Sequence, residues 1–157
     1  MDIGVPIKDL GNVDIAALRD AILSVDDEAW YDNSHRQTAY EVHAQTQSLV
    51  MLFVDTDHWP KFDVTREAAW DALSDAAIPI MNGILEQFYP PGGTILRAMA
   101  AKLVSGGVIT PHSDKHPSFH AGHRIHIPIT ANSRVRFMID GKPYKFEVGK
   151  AYELNNQ

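Results

Sequence analysis

The stretch ITPHSDKHPSFHAGHRIHIPIT, residues 109–130, decides how this chain is read. It sets a His-x-Asp pair, His112 and Asp114, after an apolar run. Ten residues beyond Asp114 it sets a second polar pair, Arg124 and His126, two apart in RIHIPIT. Along an extended chain, residues two apart point to one side. His112 and Asp114 can therefore direct an imidazole nitrogen and a carboxylate oxygen at a shared point, which is the start of the two-His-one-carboxylate set that holds non-haem Fe(II). In the second run Ile125, Ile127 and Ile129 share one face, and Arg124 and His126 share the other. A guanidinium beside an imidazole suits a small carboxylate co-substrate. An unpaired buried arginine would be costly, so an anion is expected to meet it. The plain alternative is a half-exposed strand whose polar face meets water. The spacing of the His-x-Asp pair is weak by itself, because a chain with eight histidines meets such a pair by chance.

Working outward, the chain after residue 94 reads as β. Residues 94–104 form a long strand candidate, Ser105-Gly106-Gly107 a turn, and residues 124–130 an alternating strand. Residues 134–139 and 144–148 flank Asp140-Gly141, a strong hairpin signal. Residues 151–154 make one more short strand, which would leave an open edge. Short strands at close spacing suggest a jelly roll.

Before residue 94 the signals are mostly helical. Residues 14–25 carry Ile15, Leu18, Ile22 and Val25 on one stripe, with Asn12 or Asp14 as N-cap. Thr65 can cap a helix through Trp70 and Leu73, which Pro79 should break or kink. Helical spacing resumes to about Tyr89, and Pro90-Pro91-Gly92-Gly93 ends it. The apolar run 47–54 reads as a buried strand. The expected fold is α+β, mainly β: a single domain over 1–157, with a mostly helical part (1–93) packed on one face of a jelly-roll core (94–157).

Composition limits the chemistry. There is no cysteine, which removes disulfides, zinc-thiolate sites and thiol nucleophiles and leaves His, Asp and Glu to bind any metal. The net charge of −6 is uneven: residues 1–111 carry −9 and residues 112–157 carry +3. An acidic body argues against nucleic acid as partner. The longest apolar run, residues 49–54, is far too short to span a membrane, and the N-terminus lacks a leader pattern, so a cytoplasmic protein is expected.

The segments PHSDKHPSFHAGHRIHIPI and VRFMIDGKPYKFEVGKAYELNN, with RQTAYEVHAQTQSLVMLF upstream, resemble the aspartyl/asparaginyl β-hydroxylase family of Fe(II)/2-oxoglutarate dioxygenases. The resemblance covers about two-thirds of the chain and is strongest over residues 96–156. It implies a double-stranded β-helix (jelly-roll or cupin-like) core, a small-molecule or peptide substrate, and Fe(II), 2-oxoglutarate and O2 as cofactor and co-substrates. Members act on peptidyl Asp/Asn, free amino acids or lipids, and the oligomeric state is not implied. By resemblance His112 is the proximal iron ligand, Asp114 the carboxylate ligand, and Arg124 with His126 the pair around the 2-oxoglutarate carboxylate. His43 would line the substrate side. His116, His120 and His123 lie in a loop that suits a lid, although solvated loop histidines are the plainer reading.

The family's distal histidine, its 2-oxoglutarate arginine and two core strands normally follow the segment GKAYELNN, and the sequence ends at Gln157. Three readings are open. These elements lie beyond Gln157; a local histidine among His116, His120 and His123 substitutes; or the chain is a degenerate relative. The open edge at residues 151–154 favours the first. A non-enzymatic jelly-roll binding module and a cupin-type isomerase or structural metal site are the rival classes.

Overall fold

Ten consecutive residues, TQSLVMLFVD, form strand β2 (Thr46–Asp55), and most of their side chains are buried. The run is rich in β-branched and large apolar residues, and a strand with neighbours on both edges and cover on its faces can keep all of them from water. The computed structural model describes residues 1–31, 45–113 and 116–155. Among these the protein is mixed α/β, mainly strands in small sheets with no closed barrel. The chain divides into two compact units, residues Ala17–His112 and residues Met1–Ala16 with Ser113–Gln157.

In the Ala17–His112 unit, β2 is the middle strand. It pairs antiparallel with β3 (Asp63–Arg66) on one edge and β4 (Ala98–Leu103) on the other. Helix α2 (Trp70–Phe88) packs against β2 and buries Leu73, Ala77 and Ile84. These sit four and then seven residues apart, one stripe of a 3.6-residue period. The 3₁₀ turn Asp27–Tyr31 also packs on β2, with Trp30 buried and the Lys102 ammonium 4.4 Å from its ring centre. The expected break at Pro79 does not occur, because α2 runs through it. Proline removes one helical hydrogen bond, but the buried stripe continues on both sides of it, and packing supplies most helical stability in proteins. Thr65 is not a helix cap either. It lies in β3, where its hydroxyl donates to the Glu67 carboxylate at 2.6 Å and sits 3.2 Å from the Phe53 carbonyl oxygen. Backbone bonds fix the approach to α2 instead: the amides of Glu67 and Ala69 donate to the carbonyls of Met51 and Val50.

Helix α1 (Ala16–Ser24) begins where expected, with the Asp14 carboxylate accepting from the Ala16 amide at 3.0 Å and Leu18 and Ile22 buried.

In the other unit the sheet order is β1 (Ile7–Asn12), β8 (Lys150–Leu154), β5 (Arg124–His126), all antiparallel. Two expectations change here. The N-terminal residues supply a strand that local pattern did not suggest. The strand near the chain's end, expected as an open edge, is instead the middle of a sheet, because β1 covers one side and β5 the other. Asp9 accepts from the Gly11 amide at 2.7 Å across an irregularity in β1, where Gly11 takes φ +92°, a conformation open chiefly to glycine. The hairpin of β6 (Phe137–Ile139) and β7 (Lys142–Tyr144) turns at Asp140-Gly141 with φ of 49° and 73°, as its dipeptide signal predicts. The regular strands at 98–103, 124–126 and 137–139 are shorter than the segments expected from alternation. A short helix, α3 (Pro117–Ala121), stands in the histidine-rich segment that was expected to be loop.

Candidate active site

Strand β5 positions the second polar pair. Its register places Arg124 opposite Leu154 and His126 opposite Tyr152 on β8. Directly opposed residues share a face, so Arg124 and His126 stand with Leu154 and Tyr152, and Ile125 stands with Glu153 on the reverse. Arg124 and His126 are half-buried. The Arg124 Nε–H donates to His126 Nε2 at 3.2 Å. A guanidinium has no acceptor, so Nε2 must accept. In this contact the His126 ring carries its proton on Nδ1, and the pair joins a guanidinium to an imidazole.

An aromatic column supports that ring. His126 meets Phe137 edge-on, with centroids 5.9 Å apart at 89°. Phe137 stacks on Phe146 at 4.3 Å, and Phe146 on Tyr152 at 4.5 Å. The Tyr152 hydroxyl accepts from the Glu147 amide at 3.0 Å, which gives the buried phenol a polar partner. The Arg124 guanidinium carbon lies 5.9 Å from the Phe119 ring centre. A cationic fork and an imidazole donor against aromatic walls can bind and orient a carboxylate.

His112 ends the Ala17–His112 unit. Its Nδ1 lies 2.8 Å from the Thr110 carbonyl oxygen, which can only accept. The contact therefore requires a proton on Nδ1. An Nδ1–H held by a backbone carbonyl is the arrangement that orients a metal-binding histidine, so this residue fits an iron ligand. Asp114 and His43 lie outside the described residues. Among the described residues no three or more His, Asp or Glu side chains cluster as a metal set.

The other loop histidines have local partners. His116 caps α3: its Nδ1 accepts from the Ser118 amide at 3.1 Å and lies 2.9 Å from the Ser118 hydroxyl. His120 lies in the last turn of that helix. His123 pairs through Nδ1 with a carboxylate oxygen of Glu153 in a short contact. Glu153 is 1% exposed, one of the most enclosed side chains in the chain. Sequence reasoning missed it. In KAYEL it alternates like an ordinary outward polar residue, and only its place on a middle strand buries it.

The family model described as Aspartyl/Asparaginyl beta-hydroxylase matches residues 14–156. No curated protein and no solved structure matches the chain. With nearly the whole sequence spanned by that match, including His112, Arg124 and His126, the chain belongs to the aspartyl/asparaginyl beta-hydroxylase family.

Proposed function

We propose that the protein is an Fe(II)/2-oxoglutarate-dependent hydroxylase acting on an unactivated C–H of an amino acid, a peptidyl Asp or Asn, or a related small molecule. Family membership supports the hydroxylase reading. The observation that carries the co-substrate assignment is the Arg124–His126 hydrogen bond, which leaves both side chains as donors on one face of β5. In this reading His112 and Asp114 are two of the residues that hold iron. Arg124 and His126 hold a carboxylate of 2-oxoglutarate.

The bound iron, with 2-oxoglutarate and O2, supplies the oxidising chemistry that converts a C–H to a C–OH and yields succinate and carbon dioxide. The chain's own residues do the rest. Arg124 neutralises co-substrate charge and fixes its direction through paired hydrogen bonds. His126 donates from Nδ1, the proton that the Arg124 contact leaves in place. Thr110 holds the His112 ring so that Nε2 offers its lone pair. The Phe137–Phe146–Tyr152 column keeps water from one side of the imidazole, where a hydrogen bond to a charged ligand gains strength.

Calorimetry of the purified protein with Mn(II) or Fe(II), with and without 2-oxoglutarate, tests this. Metal binding followed by metal-dependent 2-oxoglutarate binding is expected. His112→Ala should abolish the metal step and any substrate-stimulated succinate formation. Arg124→Ala should leave the metal step intact and weaken 2-oxoglutarate by about 10- to 100-fold, the loss of a charge-assisted contact. Metal binding with no response to 2-oxoglutarate would turn the reading toward a structural metal site. No metal binding at all would favour a binding module.

A further inference from the structure

Glu153 has no part in the proposed chemistry, yet it occupies the centre of a sheet. Its side chain is 2% exposed, and that of its partner His123 is 34% exposed. It stands opposite Ile125 on β5 and opposite Lys8 on β1. His123 immediately precedes β5, so the contact runs diagonally from the middle strand to the residue that leads into Arg124.

Strand β5 needs such a tie. Among the described residues it is three residues long, lies at the sheet edge, and matches β8 through three register pairs. A slip of one residue on so short a ladder would turn Arg124 and His126 to the opposite face. Burying a carboxylate is a costly way to gain stability, because an apolar pair of similar volume usually holds a fold as well or better. A buried polar pair does carry geometric information, and fixing register is its best-attested use.

We propose that Glu153 and His123 are a positioning pair. Their buried contact sets the register of β5 on β8 and so aims Arg124 and His126 at the carboxylate they bind. The inference rests on the co-substrate reading above for its ligand, but the geometry it assigns to β5 is independent of that ligand. Glu153 and His123 act through Arg124 and His126 and touch no reacting atom.

The test uses the double variant Glu153→Leu/His123→Leu, the conservative variant Glu153→Gln, and two readouts. The first is calorimetric affinity for Mn(II) and then for 2-oxoglutarate. The second is the histidine ring ¹⁵N–¹H spectrum, which reports the tautomer of His126. The double variant should unfold as cooperatively as wild type and bind Mn(II) equally well. It should bind 2-oxoglutarate at least about 10-fold more weakly, the scale on which loss of an orienting partner acts. Its His126 Nδ1–H signal should change. Glu153→Gln keeps an acceptor for the His123 N–H and should restore both readouts. Wild-type 2-oxoglutarate affinity with an unchanged His126 signal in the double variant would overturn the proposal. If wild type itself binds no 2-oxoglutarate, the co-substrate reading fails, and the ring spectrum alone judges the pair: an altered His126 signal in the variant supports it, an unaltered one overturns it. If the double variant does not fold, His123→Leu, at the wetter end of the pair, takes its place with the same readouts.

Discussion

Two three-stranded antiparallel sheets share one plan and hold different contents. In one, the middle strand β2 buries Ser48, Leu49, Val50, Met51 and Val54, with α2 packed against it. In the other, the middle strand β8 buries Ala151, Tyr152, Glu153 and Leu154, so a carboxylate and a phenol take places that aliphatic side chains hold in the first. The apolar sheet gains its stability from area removed from water, which is non-directional. The mixed sheet uses groups that hold only in particular directions: the Glu153–His123 contact, the Tyr152 hydroxyl on the Glu147 amide, and the Arg124–His126 hydrogen bond. The first supplies bulk stability. The second supplies aim, and the proposed co-substrate residues stand on it.

The largest break of that contrast should come from the apolar side. Leu73 is 1% exposed, and Leu73→Ala should cost about 2–5 kcal/mol through lost burial and the cavity left behind. Urea or guanidinium midpoints measure it. A smaller loss would show that α2 collapses into the space. Next, His123→Ala removes a partner from the buried Glu153 and should cost about 1–3 kcal/mol.

The contrast sharpens at Ser48. Its hydroxyl is buried and has no hydrogen-bond partner among the described residues, whereas Glu153 is paired. Ser48→Ala should therefore stabilise the protein, by about 1 kcal/mol, because an unsatisfied buried hydroxyl costs more than the methyl that replaces it. A lower melting temperature in that variant would contradict this.

The smallest effect concerns pH at the edge of the mixed sheet. Glu147 hydrogen-bonds the Lys150 ammonium at 3.0 Å and, with Asp9 adding attraction, raises its pKa above the ordinary 10.5. A raised lysine value favours the folded state while the group is charged. The contribution is therefore fully present below pH 10.5 and lost as pH climbs through the raised value. The melting-temperature gap between wild type and Lys150→Met should be small and should close above that point. A gap that widens with pH would reverse the sign.

Legibility in the sequence followed the range of the interactions. Strand β2, α1 and the turn at Asp140-Gly141 are written locally, in an apolar run, a helical stripe and a turn dipeptide, and each stands where it was expected. Reading Thr65 as a cap and Pro79 as a break or kink also used local rules; Thr65 instead lies in β3, and α2 runs unbroken through Pro79. The Arg124–His126 pair was visible as a shared face because strand alternation is local. Its hydrogen bond and the aromatic column behind it were not, because Phe137, Phe146 and Tyr152 come from separate segments.

By itself, then, the sequence determined the protein family, the residue types from which any metal site would be drawn, and the elements whose order lies within one apolar run or one turn. Tertiary structure alone decided that residues 7–12 pair with residues 150–154, making a strand near the chain's end the middle of a sheet. That pairing joins segments some 140 residues apart, and no local period encodes it. Once it forms, Glu153 passes from an ordinary polar position to an enclosed one, and its contact with His123 becomes a fixed point beside Arg124.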